Sequence, residues 1–388
     1  MGNSSSRRNF LAAGLALPAA GAAAVPRGMA AGAAAPEPAK GPALKYRTLG
    51  RTGLKVTEVG FGCMITSDPT VIEAAADVGI NFFDTARGYQ DGNNERMVGA
   101  ALKSKRRNII LCTKSNSHSA AQAREHLETS LRELGTDYID VWYLHSRSKP
   151  EQISDELLEV QAAAKKEGKV RFTGFTTHSG QKELLKAWAG KPMIDVILVA
   201  YNFTMDQAMA EAVADARKTG TAIVGMKVMA GGFRRVKPGN PLHERLSKAG
   251  TMLAALKWVL NDRNVDTTIP SITDMEQLEE NLRAMAENYT DEDRRLLAWQ
   301  SDEIRPLYCR MCGACEGKCP KGLPVSDMIR YLSYAEGYGQ FPLGRASFLE
   351  LPEEVRAVRC GDCADCVIRC PNGVHVAERL RRAQEIFA

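Results

Sequence analysis

Cysteine is almost missing from the first three hundred residues. Of ten in the chain only Cys63 and Cys112 precede residue 309, so those two read as packing residues of strands and any thiol chemistry belongs to the end of the chain. A block of like charge is also missing: 51 basic and 46 acidic residues are interspersed and leave a net +5, which gives no electrostatic footprint for nucleic acid. No apolar run suits a bilayer span, because the stretch from Phe10 to Val25 is short and rich in Ala and Gly. No G-x-G-x-x-G follows the first strand candidate, which argues against a doubly wound dinucleotide-binding sheet, and no flavin site is recognisable. With 388 residues, 44% of them hydrophobic, the chain can bury one large domain and something smaller beside it.

What is present begins with SSSRRNFLAAGLALPAAGAAAV. Arg7 and Arg8, then Phe10-Leu11, then an uncharged Ala/Gly/Leu stretch form the pattern of a twin-arginine export signal over residues 1–35. The expectation is a cargo of the twin-arginine translocase, destined for the periplasm or the outer face of the cytoplasmic membrane. Residues 36–45 read as an extended Pro/Ala linker.

From Tyr46 the pattern becomes short β-branched runs, each followed by an amphipathic stretch. EVGFGC, INFFDTA, NIILCTK, DVWYLH, VRFTGFT, DVILVAYN, TAIVGMK and VDTTIP are eight strand candidates, and segments such as AAQAREHLETSLRELG carry Leu127, Leu131 and Leu134 at helical spacing. Eight such units predict an α/β fold, a (β/α)8 TIM barrel over residues 46–290. KYRTLGRTGLKVTE, with Gly50 and Gly53, predicts a hairpin closing the barrel's bottom.

Reactive groups of such a barrel sit just after its strands. Asp84 ends NFFD, Tyr89 follows five residues on, Lys114 ends ILCTK and His145 ends VWYLH. Taken singly, an Asp there is often a helix cap and a lone His or Tyr a satisfied core residue. Together they can work on a carbonyl: Lys114 lowers the Tyr89 phenol toward usefulness as a proton donor, Asp84 holds Lys114 charged, and a neutral His145 imidazole orients the substrate oxygen.

Through RTLGRTGLKVTEVGFG, NFFDTARGYQDGNNERMVGAAL, ILCTKS, VWYLHS and TTIPSITDMEQLEENL the chain resembles the aldo-keto reductases. The resemblance implies a nicotinamide dinucleotide, NADP or NAD, a small carbonyl or alcohol substrate, and an Asp, Tyr, Lys, His tetrad at Asp84, Tyr89, Lys114 and His145. For the dinucleotide it implies Thr176 and Thr177, or Thr177 and His178, at the carboxamide, with Tyr201-Asn202 after strand six, Lys227 after strand seven, and Glu280 and Asn281 at the adenine. Several positions depart from the family pattern: Leu198 stands where a Gln is common, Met226 and Lys227 where an aromatic residue often stacks, and Ser271 and Gln277 where cations often grip a 2′-phosphate. Lys227, Arg234 and Arg235 are the cations at hand to compensate.

The end of the chain carries the most specific signal. Cys309, Cys312, Cys315 and Cys319 precede Pro320, and the spacing returns as Cys360, Cys363, Cys366 and Cys370 before Pro371. Gly322, Val325 and Arg330 recur as Gly373, Val376 and Arg381, so the motif is an internal duplication. Three cysteines of each loop suit three corners of an iron cube, and the fourth, before proline, suits the partner cluster. Two 4Fe-4S clusters would then share eight thiolates. Disulfides do not need this doubled pattern, and zinc more often uses two separated pairs. With helical spacing in VSDMIRYLSYAEGYG and VHVAERLRRAQEIF, residues 291–388 resemble a small, mostly helical ferredoxin-like domain.

A hydride donor gives two electrons and a cluster accepts one, so the two halves do not join chemically without help. One expectation is an exported carbonyl/alcohol oxidoreductase with clusters, served by a redox partner protein or a quinone-linked membrane complex. The alternative is an iron-sulfur electron-transfer protein whose barrel is a docking or redox-sensing scaffold.

Overall fold

The computed structural model describes residues 44–233, 241–361, 363 and 365–388. The export-signal and linker expectations for residues 1–43, and the cations Arg234 and Arg235, lie outside these. Two short strands, β1 (Tyr46–Thr48) and β2 (Lys55–Thr57), pair antiparallel as the predicted hairpin. Leu49, Leu54 and Val56 of the hairpin join the barrel's inner apolar cluster, and the Arg51 amide donates to the Gly220 carbonyl at 2.8 Å, so the hairpin plugs the N-terminal end.

Eight parallel strands follow, one in each predicted segment: β3 (Phe61–Gly62), β4 (Phe82–Asp84), β5 (Ile110–Ser115), β6 (Ile139–Leu144), β7 (Val170–Thr177), β8 (Val196–Ala200), β9 (Ala222–Met226) and β10 (Thr267–Thr268). Each pairs with the next, and the bridges Val59 to Thr268 and Gly62 to Ser271 close β3 onto β10. Strands buried on both faces read as continuous apolar runs. Phe82, Ile110, Val141, Leu198 and Val224 fill the inside, while their neighbours Phe83, Leu111, Trp142, Ile197 and Ile223 face the helices.

Those helices are α1 (Pro69–Asp77), α2 (Asn93–Leu102), α3 (Ala120–Leu134), α4 (Asp155–Lys166), α5 (Gln181–Trp188), α6 (Gln207–Lys218), α7 (Pro241–Lys248), α8 (Thr251–Asn261) and α9 (Met275–Ala286). Asp68, Asp206 and Asp274 cap α1, α6 and α9 by accepting from amides of the first turn. Helix α10 (Asp291–Ile304), predicted as the start of the second domain, packs on the barrel instead. Its Leu297 packs with Ala254 and Ala255 of α8, and Asp293 pairs with the nearly buried Lys257 at 2.8 Å.

The cysteine-rich end contributes α11 (Val325–Glu336), α12 (Phe341–Leu349), α13 (Glu353–Ala357) and α14 (Val376–Phe387). The duplication becomes one shared core: Leu323, Val325, Ile329 and Leu332 from the first half meet Val374, Val376, Leu380 and Ala383 from the second. Both halves make the same turn after the last cysteine, in which the amides of Gly322 and Gly373 donate to the carbonyls of Cys319 and Cys370 at 2.9 and 3.1 Å. The positive φ of 73° and 83° at these turns favours glycine. The described residues form one compact unit, and no helix among them is long and apolar enough to cross a membrane.

Candidate active site and cysteine centres

Strand ends place the four tetrad residues together at the barrel's C-terminal mouth. Asp84 ends β4, Lys114 lies on β5, His145 follows β6, and Tyr89 sits on the loop after β4. The Lys114 ammonium forms an ion pair with Asp84, donates to the Thr85 carbonyl at 2.6 Å, and reaches the Tyr89 hydroxyl at 3.4 Å. The Tyr89 and His145 rings meet edge to face, 5.8 Å apart. Asp84 and Lys114 are both 1% exposed, so each depends on the other for charge compensation.

Burial works to strip Lys114 of its proton, and Asp84 and Tyr89 outweigh it, so the ammonium is held charged. Burial likewise raises the Asp84 carboxyl against the pull of Lys114. For Tyr89 the expectation from sequence is corrected: burial pushes the phenol up to about 12, although Lys114 pulls it down. The phenol is therefore the protonated, donating form at neutral pH. Burial, then Lys114, Arg330 and other cations, hold His145 well below the ordinary imidazole value, so that ring is neutral.

The residues assigned to a dinucleotide do not gather in one place. Thr176 points inward but accepts the Ser146 amide at 2.8 Å. Thr177 and Tyr201 face away from the mouth: the Thr177 hydroxyl donates to the Ser179 carbonyl at 2.7 Å, and Tyr201 stands in the outer layer, donating to Asp262 at 2.9 Å and packing on Trp258. The strand alternation that directs Leu198 and Ala200 inward sends Tyr201 outward. Asn281 is buried on α9 and donates to the carbonyl of Gln277, one helical turn before it, at 2.6 Å, and its neighbour Glu280 is half-buried. Gln277 uses its amide on Thr273 and Asp274, at the helix start.

Side chains from the C-terminal module cover the mouth over β7 to β9. Met311, between two cysteines, is 3% exposed and joins the barrel's inner cluster with Leu198 and Met226. Asn202 donates to the Tyr308 hydroxyl at 3.0 Å and to the Lys227 carbonyl at 3.1 Å. The Lys227 ammonium lies 4.8 Å from the Tyr334 ring and 5.1 Å from the Tyr338 ring. Arg330 donates to the Tyr334 hydroxyl at 3.0 Å and pairs with Asp327 at 2.8 Å. Gly231 and Gly232, after β9, lie so close to Tyr308 and Tyr338 that a Cβ on Gly232 would stand 2.5 Å from the Tyr338 ring. Between these side chains about 10 Å³ remains, on the order of one water molecule. A dinucleotide laid over these strand ends does not fit the residues present.

Arg330, Tyr334, Tyr338 and Met311 are the functional-site residues that reading the sequence missed. The spacing of Tyr331 and Tyr334 on one face of α11, with Tyr338 just beyond its end, was the available signal, but nothing local says which surface these rings cover. His178, whose ring burial and Arg330 hold neutral, faces the same mouth.

The cysteines meet crosswise. The thiols that act electrostatically on Cys309 include Cys315, Cys312 and Cys370. Those that act on Cys360 include Cys366, Cys319 and Cys363. Each set therefore takes three residues from one loop and the pre-proline cysteine of the other, which fits two cube-shaped clusters. Donors already point at sulfur: the Met311 amide and the Asn372 side chain lie 3.3 Å from Cys309 and Cys312. Among the described residues no three His, Cys, Asp or Glu side chains converge on a single-ion site; a cluster instead spreads its thiolates over the corners of a cube.

Comparison with known proteins supports the same division. Residues 67–298 match the aldo/keto reductase family, and residues 308–375 match a 4Fe-4S dicluster domain. The uncharacterized oxidoreductase YqkF of Bacillus subtilis (strain 168) is 27% identical, over 68% of this chain and 98% of that protein. The NADH-specific methylglyoxal reductase of Escherichia coli (strain K12) is also 27% identical, over 66% of this chain and 96% of its own. Among solved structures, aldo-keto reductase AKR11C1 from Bacillus halodurans in its holo form is 29% identical with a TM-score of 0.56, covering 66% of this chain and 96% of that one.

Proposed function

Because the chain belongs to the aldo/keto reductase family and carries a 4Fe-4S dicluster domain at its end, we propose that it is an exported oxidoreductase that interconverts a small carbonyl compound and its alcohol. The observation that carries this reading is the intact tetrad at the barrel's C-terminal mouth. Tyr89 gives its proton to the carbonyl oxygen and takes it back in the reverse direction. Lys114, held charged by Asp84, stabilises the phenolate that remains. His145, neutral and edge-on to Tyr89, offers a hydrogen bond that fixes the oxygen's position. A small substrate is consistent with the methylglyoxal reductase among the relatives.

Two 4Fe-4S clusters, bound by Cys309, Cys312, Cys315 and Cys370 and by Cys360, Cys363, Cys366 and Cys319, supply one-electron transfer. Export by the twin-arginine route suits such a protein, because that route carries folded cargo and a cluster must be assembled before export. A redox protein or quinone-linked complex at the membrane is the partner this placement calls for. NADP or NAD linkage follows from family membership alone, and the covered mouth speaks against it.

That covered mouth also favours a second reading, an electron-transfer protein in which the barrel only docks or senses. Tyr89→Phe separates the two. Carbonyl turnover by the cluster-loaded protein is expected to fall by about 10²- to 10⁴-fold with folding unchanged; turnover unaffected by the change, or none in the parent protein across a panel of small aldehydes and ketones, sinks the reductase reading.

A further inference from the structure

We infer that the C-terminal module is a built-in occupant of the place where a barrel of this family holds its dinucleotide, so that the protein excludes nicotinamide and draws its electrons from a one-electron donor. The inference rests on the proposed reading in one respect, that the barrel mouth is the reaction site.

Four independent contacts carry it. The inner apolar layer continues from Leu198 and Met226 into Met311, so a nicotinamide carboxamide laid against these three side chains would meet apolar atoms only. Asn202, the one polar side chain at the end of β8 that faces the mouth, is committed to Tyr308 and the Lys227 carbonyl. The loop after β9 runs against the module at backbone distance: a Cβ on Gly337 would stand 2.0 Å from the Gly231 carbonyl oxygen. Among the described residues no room is left between Gly231 and Gly337 for a pyrophosphate. Lys227, the one of the three candidate cations that lies among the described residues, is spent on the faces of Tyr334 and Tyr338.

The cover is one-sided. Tyr89, His145 and His178 keep partial exposure while Met311 and Tyr334 do not. Cys309 packs against both the barrel's inner cluster and the module's own core, which sets one cysteine centre at the reaction mouth. Reduction then balances without hydride: the carbonyl π bond breaks, a C–H and an O–H bond form, Tyr89 supplies the oxygen's proton and solvent the other, and two equivalents of a one-electron carrier protein are oxidised.

The first experiment is equilibrium dialysis of the full-length, cluster-loaded protein against NADH and NADPH, with reduced methyl viologen as electron donor in a parallel assay on a small aldehyde. No saturable binding up to about 1 mM, together with viologen-driven alcohol formation that Tyr89→Phe abolishes, is the expected result. Saturable binding of either dinucleotide with a micromolar Kd overturns the inference, and if that dinucleotide also drives turnover the reductase reading survives it. Absence of both binding and viologen-driven turnover overturns the one-electron half of the inference and the reductase reading together, while the exclusion of nicotinamide stands on the dialysis.

Discussion

The barrel closes through main-chain hydrogen bonds from β3 round to β10 and an apolar interior reaching from Leu49 to Val224. The C-terminal module has no strand among its described residues and one cluster of twelve buried apolar side chains, with six of its eight cysteines packed at the edge. A core that small gives little stability of its own. The difference teaches where each region keeps its polar groups: the barrel buries Asp84 and Lys114 at rigid strand ends, where they compensate each other, whereas the module sets its thiols on loops that need a shared ligand to hold them. The regions meet through the side chains of Met311, Tyr308, Tyr334 and Tyr338, so the module's order and the shape of the reaction mouth are linked.

Removing the iron with a chelator is the most severe way to break this comparison. Helices α11 to α14 are expected to lose their fixed packing while the barrel keeps its own, read as a partial loss of helical circular dichroism followed by an undiminished barrel transition. Simultaneous melting of both would mean that the barrel needs the module. Next in size is Lys114→Met, which leaves Asp84 buried without its cation. About 3–5 kcal/mol of barrel stability should be lost, measured by urea unfolding, and a loss below about 1 kcal/mol would mean Asp84 is neutral in the parent protein.

Gly232→Val puts a side chain where the Tyr338 ring lies, at a φ of 81° that disfavours any L residue. A cost of about 1–3 kcal/mol is expected, and it should appear as faster proteolysis of the module with the barrel resistant. Tyr308→Phe removes only the hydrogen bond to Asn202, for about 0.5–1.5 kcal/mol; an unchanged melting temperature would show that this contact does not hold the module down.

The smallest effect is a predicted flatness. His145 is neutral because its proton is already lost well below its ordinary range, and Tyr89 keeps its proton up to about 12. Between about pH 6 and 9 neither group changes charge, so kcat/KM for carbonyl reduction should be level there and fall only as the pH approaches the Tyr89 value. An acidic fall centred near 6.5 would mean that His145 titrates in its ordinary range and that neither burial nor the cations around it hold it neutral.

Much of the fold was legible in the chain. Period-two and period-3.6 patterning located all eight barrel strands, because each strand's burial on two faces writes itself into consecutive residues. The tetrad was legible for the same reason, since a strand's end is a position in sequence as well as in space. The cysteine spacing and its repeat were legible as a 4Fe-4S domain, and residues 308–375 match a 4Fe-4S dicluster domain. Tyr201 and Thr177 went astray because a single residue's step along a strand reverses the face it points to. Helix α10 was assigned to the wrong neighbour because its apolar stripe suits any partner of matching shape.

Sequence by itself determined the barrel, the tetrad and the paired cysteine loops, since each depends on spacings within a short stretch of chain. Only the tertiary structure decided that residues 308–338 fold back over the mouth of a barrel whose covered strands, β7 to β9, lie far earlier in the chain. Contacts such as Asn202 to Tyr308, or Lys227 to Tyr334, are set by which surfaces meet, and no local pattern records that. The energy of that meeting lies in burying Met311 and the tyrosines against side chains remote in sequence. Whether a strand-end residue grips a dinucleotide or a tyrosine of its own chain is therefore settled by packing.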